Sequence, residues 1–358
     1  MRGSNDNQSG LMTFFILADR IPREHPLRAL DALLRESERA LAPTFAQMYA
    51  KTGRPSIPPE RILRALLLQA LFSIRSERLL CEMINYNLLF RWFVGMSADE
   101  PVFDHSVFAK NRDRLIDHDV ARELLAITVE QARAGGLLSD EHFSVDGTLI
   151  AAWASHKSFK RKDGSDDDGP DFHGQSRSND THASTTDPEA RLARKGKGHE
   201  AKLAFLGTAL MDNRHDLIAD ARVSIQSGTG EREDCAQMLR LAREERGNRR
   251  ITTGADKGFD TRGFVVACRD GGVTPHVAQR KIGSAIDGRT TRHAGHGKSQ
   301  NARRGIEKIF GWVKVVAGMA KTKLRGWVRN DWQFCFTGAV YNLMRMRNLA
   351  QAGAWSPP

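Results

Sequence analysis

The sequence predicts a mixed α/β domain with a central sheet, preceded by an α-helical N-terminal domain. Two observations carry that reading. Apolar residues in the first third recur with helical period, and from about residue 141 strand-like and helix-like segments alternate to the end of the chain. With 358 residues there is room for two or three domains at roughly 150 residues each. A composition of 40% hydrophobic and 27% charged residues excludes wholesale disorder.

Residues 1–25 read as a leader, and residues 26–138 as a helical domain suited to DNA binding or dimerisation. Leu63, Leu66, Leu67, Ala70 and Leu71 form the apolar stripe of one helix, with Pro58 and Pro59 at its first turn, where a missing N–H costs nothing. A second helix is expected from about Glu77 to Arg91, with Leu80, Met83, Ile84 and Leu88 inward, and a third from about His105 to Ile116. Three short helices in succession are similar to a helix-turn-helix module; a small helical bundle is the plainer alternative. A fourth helix carries Leu125, Thr128, Val129 and Ala132 on one face and stops at Gly135-Gly136. Arg54, Arg61, Arg64, Arg75, Arg78 and Arg91 lie among these stripes.

The catalytic domain is expected over residues 139–350, with 351–358 as a tail. Glu141 to Ile150 has the β-branched and aromatic content of a strand. Residues 155–198 lack an apolar period and read as a flexible surface insertion, whose Asp166-Asp167-Asp168 run is taken as solvated rather than metal-binding. Lys202–Met211 and Leu217–Ile225 form a hairpin around Asp212-Asn213-Arg214-His215. A helix from Glu231 to Arg246 buries Cys235, Met238, Leu239 and Ala242. A strand (Arg250–Ala255), a helix (Thr261–Cys268), a strand (Val273–Ala278) and two helices (Asn301–Val316, Asp331–Leu349) complete the chain. This order matches the ribonuclease-H-like arrangement when the insertion lies between the first two strands.

Charge points to a polyanionic partner. The chain carries 54 Lys and Arg against 43 acids, a net +11 and a pI near 9.7. The surplus is concentrated: between Arg289 and Arg329 stand eleven Lys and Arg and a single acid, Glu307. A nucleic-acid backbone is the natural complement. Four cysteines at 81, 235, 268 and 335 show no CxxC spacing. No apolar stretch reaches the roughly 18 residues of a membrane span, and Met1–Gly10 lacks the apolar run of an export signal, so a cytoplasmic location away from membranes is expected.

Three acids stand where such a fold would put its active site: Asp146 ending the first strand, Asp256 ending the fourth, and Glu307 on the basic helix. Phosphodiester chemistry uses two divalent cations roughly 4 Å apart, and hard Mg²⁺ or Mn²⁺ prefers carboxylate oxygens, so these three are the expected metal ligands and catalytic residues. Each also has a plainer reading. Asp146-Gly147 is a turn dipeptide, Asp256 could cap a helix, and Glu307 could pair with Arg303. At about 3.6 residues per turn, Arg303, Glu307 and Lys314 share one helix face, which makes Arg303 and Lys314 the expected DNA phosphate contacts. His276 reads as a core or edge histidine, and His293 and His296 as part of a solvated basic loop.

The chain resembles the DDE transposases of bacterial insertion sequences, most closely the IS5-type group of the IS4-like superfamily. The resemblance rests on Gly53–Glu60 (GRPSIPPE), Phe143–Thr148 (FSVDGT), Ser184–Arg191 (STTDPEAR), Ala255–Asp260 (ADKGFD), Ser299 through Arg303 and Glu307 to Trp312, and Ala339–Leu343 (AVYNL). It implies Asp146, Asp256 and Glu307 as the catalytic carboxylates. The motif around its glutamate falls on Arg303, Glu307 and Lys314, with Gln300 where the family has Tyr. It further implies two Mg²⁺ or Mn²⁺ ions, hydrolysis at the element's ends, transfer of the freed 3′-OH to target DNA, and at least a homodimer on double-stranded DNA with terminal inverted repeats. A transposase-derived DNA-binding protein without turnover, and a ribonuclease-H-like nuclease on branched or hybrid nucleic acid, are the alternatives.

Overall fold

The computed structural model describes residues 15–355 apart from 51, 54, 164–176 and 197. The Asp166–Asp168 run and Arg54 therefore lie outside the described residues. The helices α1 (Leu17–Arg20), α2 (Pro26–Gln47), α3 (Pro59–Leu71), α4 (Glu77–Tyr86), α5 (Leu88–Val94), α6 (His105–Asp117) and α7 (Val120–Ala134) come first. Then follow β1 (His142–Ala151), β2 (Phe159–Arg161), β3 (His182–Ser184), β4 (Arg191–Ala193), β5 (Lys202–Asp212), β6 (Leu217–Ser224), α8 (Gly230–Glu245), β7 (Ile251–Ala255), α9 (Arg262–Asp270) and β8 (Val273–Val277). The chain ends with α10 (Gly288–Thr291), α11 (Ala294–Ala302), α12 (Arg304–Val315) and α13 (Trp327–Gln351).

The main sheet runs β6-β5-β1-β7-β8, with β4 on the far half of the β5 edge. Strand β1 is antiparallel to β5 and parallel to β7, and β7 is parallel to β8. An antiparallel β5–β6 hairpin on one side of the central strand β1 and two parallel strands, β7 and β8, on the other make the sheet ribonuclease-H-like. Alternation along β1 sorts the two faces. Phe143 and Val145 join a core with Leu210, Ile251 and Ala255 under α8 and α9, through Cys235, Met238, Leu239, Phe264 and Val265. Ser144 faces the other way, toward α11.

The helical region and the sheet share one core. Leu124 and Leu125 of α7, Phe334, Ala339 and Leu343 of α13, and Ile218 and Ala221 of β6 belong to the same buried cluster as Leu30, Leu34 and Leu63. Arg64 ties the N-terminal helices together: though buried, it bonds Glu38 and Asp31 at 2.6 Å each and the Phe93 carbonyl at 2.8 Å. Arg91 is likewise spent on the Ser97 and Asn85 carbonyls, and Arg61 on Glu100. Only Arg75 and Arg78 of the named N-terminal arginines that are described remain exposed.

Three segments differ from the periodicity reading. The helix expected over Glu77–Arg91 is two helices, because Asn87 is extended and its side chain caps α5 by accepting from Leu89 and Phe90. The expected Asn301–Val316 helix begins earlier as α11 and is interrupted at Arg303. Within the 155–198 stretch, residues 182–190 bury His182, Ser184, Asp187 and Ala190. There Asp187 accepts from the Gly326 N–H at 3.2 Å and Glu189 from the Trp327 N–H at 2.6 Å, which satisfies the N-terminus of α13. All four cysteines are free and buried. Among the described residues no helix is long and apolar enough to cross a membrane.

Entry into β1 is set by Asp212 at the end of β5. This fully buried carboxylate accepts from the backbone N–H groups of Ser139, Asp140 and Arg214, each at 2.9–3.0 Å, and from the Ser139 hydroxyl at 2.8 Å. Asp212→Ala leaves those donors unmatched, at about 1–3 kcal/mol for a buried orphan. Thermal or denaturant unfolding should show a loss of at least about 3 kcal/mol, and a smaller one for Asp212→Asn, which keeps an acceptor. Equal losses for the two variants would refute this account.

Candidate active site

Strands β1 and β7 pair only over three residues: His142 with Thr252, Phe143 with Thr253, and Ser144 with Gly254. Continuing that register by two residues sets Asp146 level with Asp256 on neighbouring parallel strands, and on the same face as Ser144 and Gly254. Pairing stops before that level is reached. Strand β1 runs on to Ala151 beside β5, while β7 ends at Ala255 and Asp256 begins a 3-10 turn. Beyond the opening, β1 acquires a new neighbour on this edge: Thr322 donates to the Ala151 carbonyl at 2.9 Å and Ala151 to the Ala320 carbonyl at 3.2 Å. The result is a cleft at the C-terminal ends of two parallel strands, where open α/β sheets place ligands.

The two aspartates differ in environment. Asp146 is half-buried, and its carboxyl is pushed up from 3.8 to about 7, chiefly by burial, with Asp256 and Glu231 also raising it and the Gly147 N–H and Arg303 opposing. Its Oδ1 accepts from the Gly147 N–H at 2.9 Å. Asp256 Oδ1 accepts from the Gly258 N–H at 2.6 Å, so the helix-cap reading of this residue holds alongside its place in the cleft.

Glu307 projects from α12, with 63% of its side chain exposed, and pairs with Arg303 at 3.6 Å. Arg303 thus interacts with both sets of acids: it forms an ion pair with Glu307, its charge favours ionised Asp146, and its Cβ sits 3.5 Å from where a Cβ on Gly254 would be. Its Nε is buried without a hydrogen-bond partner. The structure brings Asp146 and Asp256 together and leaves the Glu307 carboxylate on Arg303. Lys314, at the other end of α12, is half-buried and its ammonium is held below the usual range by burial and by Lys195. Gly305, which costs about 1 kcal/mol in a helix relative to Ala, has a packing reason: a Cβ there would collide with the Asp216 carboxylate in the β5–β6 turn.

Gln300, at the position of the family's Tyr, donates to the Ala255 and His276 carbonyls at 3.2 and 2.5 Å, fastening α11 across the ends of β7 and β8. His276 is buried, hydrogen-bonds Ser299 at 2.7 Å, and is pushed down to about 4 by burial and neighbouring histidines and Arg250. It is a core histidine. His293 and His296, expected in a solvated loop, instead cap and join α11, and the half-buried His296 has its Nε2 3.0 Å from the Val277 carbonyl because the helix packs across the end of β8.

Sequence reasoning missed Glu231, in the first turn of α8. Its carboxyl is raised by burial and by Asp256, and a Cβ on Gly147 would run into it. Among the described residues no three His, Cys, Asp or Glu side chains already close on one point as a metal site would. The donor chemistry nonetheless fits a hard divalent cation. Asp146 and Asp256 offer only carboxylate oxygens, and their mutual repulsion is the kind a cation relieves.

A carboxyl raised from 3.8 in the unfolded chain to about 7 in the fold costs stability increasingly as pH rises between those values, fully above 7. Asp146→Asn removes that cost. In chelator-treated protein the variant should unfold at a higher temperature than the parent at pH 8, with the advantage vanishing near pH 4. An unchanged or lowered midpoint at pH 8 would contradict the burial assigned to Asp146.

Residues 15–114 match the family described as Transposase domain (DUF772), and residues 139–343 the family described as Transposase DDE domain. No curated protein matches significantly. Among solved structures, the chain is similar to a piggyBac transposase synaptic complex with hairpin DNA, at 9% identity and a TM-score of 0.43 over 92% of this chain and 76% of that one. It is also similar to a Mos1 mariner paired end complex with Mn, at 13% identity and a TM-score of 0.22 over 85% of this chain and 100% of that one. The second family match spans more than half of the chain, and with the ribonuclease-H-like sheet already described, this protein belongs to the DDE transposase family.

Proposed function

We propose that this transposase cleaves DNA at the ends of its own element with divalent metal ions held by Asp146, Asp256 and Glu307, and joins the freed ends to target DNA. The observation that carries the reading is the β1–β7 register, which sets two carboxylates level at the mouth of a cleft. Mg²⁺ or Mn²⁺ bound there would activate the attacking oxygen and stabilise the leaving one. In the first step water attacks the phosphorus, the P–O bond to the 3′ oxygen breaks, and a 3′-OH and a 5′-phosphate result. In the second, that 3′-OH attacks a target phosphodiester and displaces a 3′ oxygen of the target strand.

The chain's own residues supply the rest. Arg303, with a buried unpaired Nε and a guanidinium near Asp146, is suited to a phosphate beside the scissile bond. Lys314, on the same helix, lies near Lys195 and adds to the cationic charge. Near the end of β1, Lys321 lies over the half-exposed Trp153 ring at 5.6 Å. Lys321 and Lys323 also line a cavity of about 750 Å³ with Arg75, Ser73 and Trp332, between the N-terminal helices and the segment leading into α13. A duplex lying along that cavity would neutralise its cations while an end enters the cleft. Binding of two ends calls for at least a homodimer on DNA.

The test is Mg²⁺-dependent cleavage of DNA ending in the inverted repeats that flank the gene. Asp146→Ala, Asp256→Ala and Glu307→Ala should each abolish cleavage and leave DNA affinity within a few-fold. Binding without any cleavage by the parent protein would favour the binding-only alternative. Cleavage of branched or hybrid substrates in preference to those ends would favour the nuclease.

Arg303→Ala should weaken binding to many sequences alike and reduce the slope of log affinity against log salt by about one. Altered sequence preference with an unchanged slope would assign Arg303 to base readout instead.

A further inference from the structure

The two acids in the first turn of α8 are treated differently by the fold. Glu233 is exposed, as expected of an acid that only complements a helix N-terminus. Glu231 is drawn in over β1. Helix α8 packs on the face of the sheet that holds Phe143 and Val145. By alternation the next position on that face is Gly147. The absence of a side chain there leaves the space that the Glu231 carboxylate occupies, since a Cβ at 147 would collide with both its Oε1 and its Cδ. Through that gap Glu231 lies against β1 at Gly147, next to Asp146 in the chain and on the face of the sheet opposite Ser144. Its charge acts on both Asp146 and Asp256, while Arg303 on the other side is engaged with Glu307.

From this geometry we propose that Glu231 is a further carboxylate of the divalent-cation site, binding or orienting the ion jointly with Asp146 and Asp256, and that residue 147 is glycine to admit it. The proposal rests on the reading of Asp146 and Asp256 as cation ligands. It assigns to α8 a role that helix capping does not require. The Glu231 carboxylate gains the Gly147 N–H as a donor, but it also crowds two like charges, whose repulsion costs stability. A cation in the cleft turns that repulsion into attraction.

The experiment is calorimetric titration of the full-length, metal-stripped protein with Mn²⁺ in the absence of DNA, on the parent chain and on Glu231→Gln, Gly147→Ala and Asp146→Asn. Glu231→Gln is expected to weaken Mn²⁺ binding at least about tenfold, in the range seen when a residue supporting a metal site is removed. Gly147→Ala should weaken it similarly by displacing the same carboxylate. Without metal, Glu231→Gln should unfold no lower than the parent, which separates loss of a ligand from loss of the fold. Should that variant not fold, Glu231→Asp, one methylene shorter, takes its place with an expected intermediate affinity. Asp146→Asn distinguishes the two levels of inference. If it loses Mn²⁺ while Glu231→Gln and Gly147→Ala bind as the parent does, Glu231 is excluded from the site and the Asp146 and Asp256 reading stands. If Asp146→Asn also binds as the parent does, the cation-site reading itself fails.

Discussion

The parting of β1 and β7 after Ser144 is the constraint on which the site depends. While the two strands stay paired, their edges are consumed by ladder hydrogen bonds and their side chains by the helices above and below. Once they separate, the backbone of β1 is still held straight by β5 over its full length, so Asp146 remains on a rigid element although one edge is open. Asp256 leaves the sheet at the same level with an extended backbone and caps the 3-10 turn Lys257–Phe259 through its side chain. Two carboxylates are thereby delivered to a common place by rigid structure rather than by loops, the arrangement a reaction sensitive to small displacements demands.

Gathering these charges is unfavourable in itself, and the surrounding structure carries the cost. Burial and like charge raise Asp146, while the large core beneath β1, built from both the sheet and the N-terminal helices, offsets the penalty. Proteins commonly hold such locally destabilising arrangements where function needs them. Two glycines allow the close approaches involved: Gly147 admits Glu231 from one face, and Gly305 lets α12 settle on the β5–β6 turn at Asp216. Neither adopts a left-handed backbone, so steric space rather than torsional freedom is their reason.

How much of this could be read beforehand follows the range of the interaction. The placement of Asp146 and Asp256 on neighbouring strands was legible because each closes or interrupts a short β-branched run, a local pattern. Strand order was legible because helix and strand periods alternate with clear stops such as Gly135-Gly136. Glu231 was not, since a first-turn acid in an amphipathic helix has an ordinary local reading and its distinctive partner, Gly147, is 84 residues away in sequence. Gly147 itself reads as half of an Asp-Gly turn, whereas it lies within a continuous strand. The ordering of residues 182–190 was hidden for the same reason. Asp187 and Glu189 are polar residues in a polar stretch, and the helix terminus they satisfy lies 138 and more residues further on.

The shared core also constrains how recognition and chemistry can be coupled. Helix α13 packs on α7 and on β6, so the helical region is not a separate body swinging on a linker; its apolar surface is completed by the catalytic sheet. The arginines that seemed available for DNA divide accordingly. Arg64 and Arg91 are buried in hydrogen bonds that hold the bundle together, and Arg61 is paired, which leaves Arg75 and Arg78 at the exposed α3–α4 corner. That corner faces Lys321 and Lys323 across the cavity ahead of α13, and the same segment, through Ala320 and Thr322, borders the end of β1. Charge in the N-terminal helices and the carboxylate cleft are therefore linked by one short, hydrogen-bonded stretch of backbone. A phosphate backbone held at the corner would rest on the same packed body as Asp146 rather than on a separately tethered domain.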